Sequence, residues 1–133
     1  MTMFLPITLA TASMLSLVYI LLIVRVGQVR TKHRVAIGDG GNADLLMRMR
    51  TQANFAEYVP LMLVLMALLE GAGGNRQVLA VSGTLLILFR ILHFMGMPRP
   101  VPNAFRIIGA GGTIALLLGG AVWGLEMVLT AGA

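Results

Sequence analysis

Residues 48–69 read RMRTQANFAEYVPLMLVLMALL, a basic and polar segment that continues without interruption into an apolar one. From about residue 53 onward its only charged residue is Glu57. A helix needs roughly 20 apolar residues to cross a hydrocarbon core of about 30 Å. The stretch therefore predicts a membrane-spanning helix that begins near residue 43 and holds one acidic side chain inside the membrane.

Three further apolar runs approach the same length, at residues 5–24, 77–95 and 107–125. Hydrophobic residues make up 58% of the chain and charged residues only 11%, with a mean hydropathy of +0.90. A water-soluble surface could not be built from this balance. We predict an all-α membrane protein, a single four-transmembrane-helix bundle over residues 1–133, with helices at about residues 3–30, 43–70, 76–97 and 103–130.

The predicted connections differ in length, and the fourth run has a distinct pattern of small residues. Residues 37–42 have the glycines and the aspartate of a turn, and Asn42 can cap the helix that follows. Residues 71–76 predict a tight turn between antiparallel helices. Small residues at intervals of four let helix backbones approach closely in lipid, and the fourth run has two such sets: Gly111, Ala115 and Gly119, then Gly120 and Gly124.

The basic residues lie mainly at one end of the predicted bundle. Of ten Lys and Arg residues, nine lie in or beside the first and third connections, and only Arg76 lies at the other end. The positive-inside rule then predicts that both termini face away from the cytoplasm. The net charge of +5 does not indicate nucleic-acid binding, which needs a basic face on a soluble domain. It indicates contact with anionic lipid or an anionic ligand.

A polar stripe on the second helix gives the main evidence for a binding site. Arg50, Asn54 and Glu57 stand at i, i+4 and i+7, on one helix face. Glu57 lies about 10 Å deeper than Arg50 at 1.5 Å per residue, where an unpaired carboxylate costs at least a few kcal/mol. Cationic or hydrogen-bonding partners are present at the same end: Arg90, His93 and Arg106.

Two interpretations of this cluster follow from its charges. One is a structural ion-pair network that fixes helix register, with the arginines reaching the interface. The other is a ligand site, because one glutamate against three arginines leaves an excess of positive charge. Such a site suits a small zwitterionic peptide with more than one carboxylate, whose ammonium group Glu57 would hold. Pro60 could bend the helix beside this site, or be a tolerated membrane proline.

The run from Arg50 to Pro60 resembles the signature of the MAPEG family, membrane-associated proteins in eicosanoid and glutathione metabolism. The resemblance extends over essentially the whole chain. It implies a homotrimer, located in the bacterial inner membrane, that binds glutathione between adjacent subunits at the cytoplasmic side.

The resemblance also implies a role for individual residues. Glu57 would face the γ-glutamyl amine, and Arg106 would stabilise the thiolate, which a nearby cation favours in a low-dielectric pocket. Arg30 and Gln52 would reach the ligand from the neighbouring subunit. The remaining candidate glutathione contacts are Arg50, Asn54, Tyr58 and Arg90. The chain has no cysteine, so the substrate must bring any reacting sulfur.

The chain departs from the family pattern at three positions. His93 and Met97 stand where leukotriene synthases have tyrosines, and Thr31 stands where a second arginine follows the first. These changes weaken the inference of a lipid epoxide substrate. His93 can replace a tyrosine hydrogen bond to the ligand, or it can be a structural interface histidine.

Three functions are compatible with these features to different degrees. The favoured one is a trimeric glutathione transferase, with glutathione-dependent peroxidase activity as a variant, that acts on hydrophobic electrophiles from the bilayer. The alternative is a non-catalytic protein that binds glutathione or lipid. A small proton-coupled drug exporter also has four helices and one membrane glutamate, but places that acid in the first helix, where this chain has none.

Overall fold

The protein is a bundle of four long helices, seen in a computed structural model that describes residues 4–131. The helices are α1 (Pro6–His33), α2 (Ala43–Gly71), α3 (Arg76–Gly96) and α4 (Ala104–Ala131). Each is long and apolar enough to cross a membrane. The predicted all-α fold with four transmembrane helices is thus confirmed. Residue 3, the predicted start of the first helix, lies outside the described residues.

The helix ends follow from local signals in the sequence. Pro6 occupies the first turn of α1, where its missing N–H removes no helical bond. The Asn42 side chain accepts a hydrogen bond from the Leu45 N–H at 2.9 Å and caps α2, as predicted. Asn75 does the same for α3. The α1–α2 connection turns at Gly40 and Gly41, which both have positive φ angles that favour glycine.

The four helices run alternately up and down. Side chains from the ends of α1 and α3 therefore line cavities together with side chains from the starts of α2 and α4. We call this the arginine-rich end of the bundle. The helices α1 and α2 form one close pair and α3 and α4 the other, and no contact joins α1 to α4 among the described residues.

The core lies between α1, α2 and α3, whereas most of α4 faces outward. The buried cluster consists of Leu15, Leu22, Phe55, Val59, Met62, Met66 and Leu86. In α4 the buried residues are Gly109 and Thr113. The large apolar side chains of α1 and α4 are mainly exposed, as expected where lipid is the solvent. The helix α2 continues through Pro60 to Gly71 without interruption.

The backbones of α3 and α4 approach each other closely at two glycines. A Cβ added at Gly109 would lie 2.6 Å from the Phe89 carbonyl oxygen and closer still to the His93 nitrogen. A Cβ at Gly96 would lie 2.8 Å from the Cα of Arg106. Only glycine permits this backbone separation.

The small-residue pattern in α4 is divided between two surroundings. Gly120 packs against Leu65 of α2, and Gly124 lies within van der Waals distance of the same side chain. A Cβ added at Gly111 or Gly119 would meet no other part of the described chain within 4 Å. The glycines of the first predicted set, Gly111 and Gly119, therefore make no close contact with another described helix. Those of the second set, Gly120 and Gly124, do.

Two charge-assisted hydrogen bonds that were not predicted from the sequence join α1 to α2 at the opposite end. The carboxylate of Glu70 accepts hydrogen bonds from the backbone N–H groups of Ile7 and Thr8, at 3.0 and 2.8 Å. These N–H groups belong to the first turn of α1 and have no partner within the helix. Glu70 thereby caps α1 and fixes its start against the end of α2.

We predict that Gly109→Ala lowers the free energy of unfolding by about 1–3 kcal/mol, because the added methyl group separates α3 from α4. The matched control is Gly111→Ala, two residues away, where the methyl group meets open space and should change stability by less than about 1 kcal/mol. Equilibrium unfolding of the detergent-solubilised protein, followed by circular dichroism, measures both. Equal losses for the two variants would contradict the tight α3–α4 contact.

Candidate functional site

The polar stripe predicted on the second helix lines a small cavity at the arginine-rich end. The cavity has a volume of about 90 Å³. Three helices supply its lining: Arg50, Ala53, Asn54 and Glu57 from α2, His93 and the adjoining Met97 from α3, and Arg106 from α4. The structure therefore brings the predicted stripe together with two of its three predicted partners.

The position of Arg106 depends on how α4 begins. The Asn103 side chain accepts a hydrogen bond from the Arg106 N–H at 2.9 Å and caps the helix. The amide nitrogen of Asn103 donates to the Gly96 carbonyl at 3.1 Å, at the end of α3. Asn103 therefore joins the two helix ends, a role that was not predicted from the sequence. The available signal was an asparagine three residues before Arg106, at the predicted helix start.

The third predicted partner, Arg90, lies behind the cavity wall. Its side chain is only 2% exposed. One terminal nitrogen donates to the Asn54 amide oxygen at 2.9 Å and the other donates to the Gly109 carbonyl at 3.0 Å. The Arg90 Nε has no hydrogen-bond partner among the described residues. Arg90 thus joins α3 to both α2 and α4, and it orients Asn54, which lines the cavity.

His93 lies between the cavity and the α3–α4 contact. His93 is 6% exposed, and Gly109 packs against its backbone. The side chain nevertheless reaches the cavity. Both interpretations of His93, as a ligand contact and as an interface histidine, are therefore compatible with its position.

Glu57 faces the cavity without an ionic partner of its own. Within residues 4–131, the ion pair with a nitrogen–oxygen distance of 4 Å or less is the one between Arg48 and Asp44, at 3.0 Å, and Glu57 takes no part in it. Glu57 and the two arginines of the cavity, Arg50 and Arg106, are all exposed in the single chain. The site therefore has a positive excess that its own side chains do not neutralise, rather than a closed ion-pair network.

Arg30, Gln52 and Tyr58 lie outside this cavity in the single chain. The Arg30 guanidinium donates to three carbonyls of the α1–α2 connection, among them that of Gly38 at 2.9 Å. The Gln52 amide lies 3.5 Å from the Tyr19 hydroxyl of α1. The ring of Tyr58 lies below the Arg90 guanidinium, with 6.0 Å between the guanidinium carbon and the ring centroid. The contacts predicted for Arg30 and Gln52 across a subunit boundary stay predictions.

Comparisons with known proteins agree on the class of membrane protein. The sequence profile of the MAPEG family matches residues 8–125. The chain is 35% identical over 69 residues to a protein named Inner membrane protein YecN from Escherichia coli (strain K12), and equally to that from Escherichia coli O6:H1. This alignment covers 52% of the chain and 53% of each relative, so the chain spans about half the length of the curated relatives it matches. No solved structure matches the chain.

We predict that Arg90→Ala lowers the free energy of unfolding by about 2–4 kcal/mol, because it removes two buried charge-assisted hydrogen bonds and leaves Asn54 unpaired. Arg106→Ala serves as the control, since it removes an exposed arginine from the same end and should change stability by less than about 0.5 kcal/mol. Thermal and denaturant unfolding in detergent measure both variants. An Arg90→Ala protein as stable as Arg106→Ala would show that Arg90 does not hold the three helices together.

Proposed function

Because the chain belongs to the MAPEG family, we propose that this integral multi-pass membrane protein is a glutathione transferase. In this proposal it conjugates the thiolate of glutathione to hydrophobic electrophiles, with glutathione as co-substrate. The relatives' name, Inner membrane protein YecN, supports a location in the bacterial inner membrane.

The observation that carries this proposal is the gathering of Arg50, Glu57 and Arg106 around one cavity. Glutathione has one ammonium group, two carboxylates and a thiol. Glu57 would accept hydrogen bonds from the ammonium group, and Arg50 would pair with a carboxylate. Asn54, oriented by Arg90, would supply a neutral polar contact. The unneutralised positive charge of the site matches the net negative charge of this ligand.

The proposed role of Arg106 is to stabilise the thiolate. A guanidinium group stays protonated at all physiological pH values and therefore offers a fixed positive charge. Beside a thiol in a site of low dielectric constant, it favours the deprotonated sulfur. The thiolate is the nucleophile that attacks the electrophilic carbon. In the peroxidase variant of this activity, the same thiolate attacks the hydroperoxide oxygen and releases the alcohol, and a second glutathione reduces the resulting sulfenic acid to give glutathione disulfide and water.

The cavity requires a second wall for a ligand of this size. Its volume of about 90 Å³ is well below the roughly 300 Å³ at which small-molecule sites begin. Arg50, Glu57 and Arg106 are also exposed, so another surface can pack over them. We propose that a neighbouring subunit of a homotrimer completes the site, with Arg30 and Gln52 as its contributions, and with Tyr58 as a further contact.

The apolar surface of the bundle supplies the route for the second substrate. Most of the large outward side chains of α4 are apolar, including Ile107 and Ile108 next to Arg106. A hydrophobic electrophile dissolved in the bilayer can therefore approach the thiolate from the lipid side. His93 and Met97 line the cavity and would contact the reacting groups.

We predict that Arg106→Ala reduces glutathione-dependent turnover by at least about tenfold, because the fixed charge that favours the thiolate is lost. Purified protein is assayed in detergent with a panel of hydrophobic electrophiles. Arg76→Ala removes an arginine from the opposite end of the bundle and should retain the wild-type rate. If wild type and Arg106→Ala both give only the background rate with every electrophile, the transferase proposal fails.

We also predict that Glu57→Gln weakens glutathione binding by at least about tenfold, because the ammonium group loses its charged acceptor. Isothermal titration calorimetry measures binding without turnover. Wild-type binding without conjugation of any electrophile would favour the non-catalytic binding protein, which uses the same site. If Glu57→Gln binds glutathione as tightly as the wild type does, glutathione binds at another site. If neither protein binds it, the protein has no glutathione site.

A further inference from the structure

A second cavity opens at the arginine-rich end, between α1, α2 and α3. Its volume is about 310 Å³, and it shares no lining residue with the candidate glutathione site. It lies on the other side of α3, because Phe94 and Met95 line it whereas His93 and Met97 line the first cavity. The function proposed above does not use it.

Three arginines line this second cavity, and among the described residues one carboxylate pairs with them. Arg48 donates from its Nε to both oxygens of Asp44, at 3.0 and 3.1 Å. The Arg25 guanidinium lies 4.8 Å from the centroid of the Phe94 ring and has no ionic partner within 4 Å among the described residues. Arg99 likewise has no carboxylate within 4 Å among the described residues. Two positive charges therefore remain to be neutralised.

Each of the two free arginines contacts an aromatic ring. The Phe94 ring supports Arg25 through a cation–π contact. Arg99 lies 4.3 Å from the centroid of the Phe105 ring and donates to the Met95 carbonyl. Arginines restrained in this way lose less side-chain entropy when they bind an anion.

Apart from Thr51, the rest of the cavity wall is apolar. Leu22 lies one helical turn deeper than Arg25. Arg25 itself lies eight residues before the end of α1, or about 12 Å along the helix axis. Phe94 and Met95 continue the apolar wall. The cavity thus combines positive charge near the interface with a hydrocarbon surface below it.

We propose that this second cavity binds an anionic phospholipid of the surrounding bilayer. Guanidinium groups pair with phosphate oxygens in bidentate geometry, and basic pockets between transmembrane helices are suited to anionic head groups. Arg25 and Arg99 hold the phosphate, and the first part of an acyl chain lies against Leu22 and Met95. A zwitterionic peptide suits the cavity less well. The ammonium group of such a peptide would need a carboxylate, and the carboxylate beside the cavity, that of Asp44, is already paired with Arg48.

Native mass spectrometry of the full-length protein in detergent tests this proposal, with phosphatidylglycerol and phosphatidylcholine as the added lipids. The wild type should retain phosphatidylglycerol preferentially. The double variant Arg25→Gln/Arg99→Gln should lose about tenfold or more of that preference, given roughly 1 kcal/mol per basic residue near an anionic membrane surface. The control Lys32→Gln/Arg34→Gln removes equal charge from the same end, outside the cavity, and should keep the preference.

Two further measurements separate this site from general charge effects and from loss of folding. Met95→Trp fills the cavity without changing charge and should also release phosphatidylglycerol. Glycerol phosphate, which has the same headgroup phosphate but no acyl chain, should not compete with the lipid at equal concentration. Any one of three results would overturn the proposal. These are an equal loss of the lipid preference in the control double variant, retention of phosphatidylglycerol by both cavity variants, and competition by glycerol phosphate. Glutathione binding should be unchanged in Arg25→Gln/Arg99→Gln. The outcome of the lipid-binding experiment is therefore independent of the transferase proposal.

Discussion

The buried guanidinium of Arg90 constrains the arrangement of the other functional groups. A cation in a membrane helix is stable only where polar partners replace the water it has lost. Arg90 finds two such partners, the Asn54 side chain on α2 and the Gly109 carbonyl on α4. Because the guanidinium is planar and rigid, these two bonds fix the rotation of both helices relative to α3. The polar stripe of α2 and the start of α4 consequently face the same cavity.

The small size of Gly109 is what allows Arg90 to reach the α4 backbone. The glycine lets α4 approach α3 closely, and the same residue then presents its carbonyl to Arg90. The fully buried residues of α4 are Gly109 and Thr113 among those described, and Leu116 and Leu117 pack, partly buried, against the core cluster. The site is therefore built on backbone contact between two helices rather than on an extensive core. Its charged groups, Arg50 and Arg106, remain exposed on the surface that this contact creates.

Hydropathy and residue spacing were sufficient to predict the helices and most of the cavity. Four apolar runs give four spans, and the intervals between Arg50, Asn54 and Glu57 place them on one face. The sequence could not show which glycines of α4 face another helix, because Gly109 and Gly111 differ only in the rotation of α4, and tertiary contacts determine that rotation. It also could not show that Glu70 caps α1, since this bond joins residues more than sixty positions apart.

The basic residues at one end of the bundle lie around two separate cavities. The helices α2 and α3 divide the arginines between two cavities, one with an unpaired glutamate and one whose only neighbouring acid is already paired. An unpaired acid beside arginines favours a ligand that carries both signs of charge, whereas arginines above an apolar wall favour an anion with a hydrocarbon tail. Net charge alone does not distinguish these ligands. The position of each carboxylate relative to the arginines does, and it is the reason that we propose a water-soluble peptide for one cavity and a component of the membrane for the other.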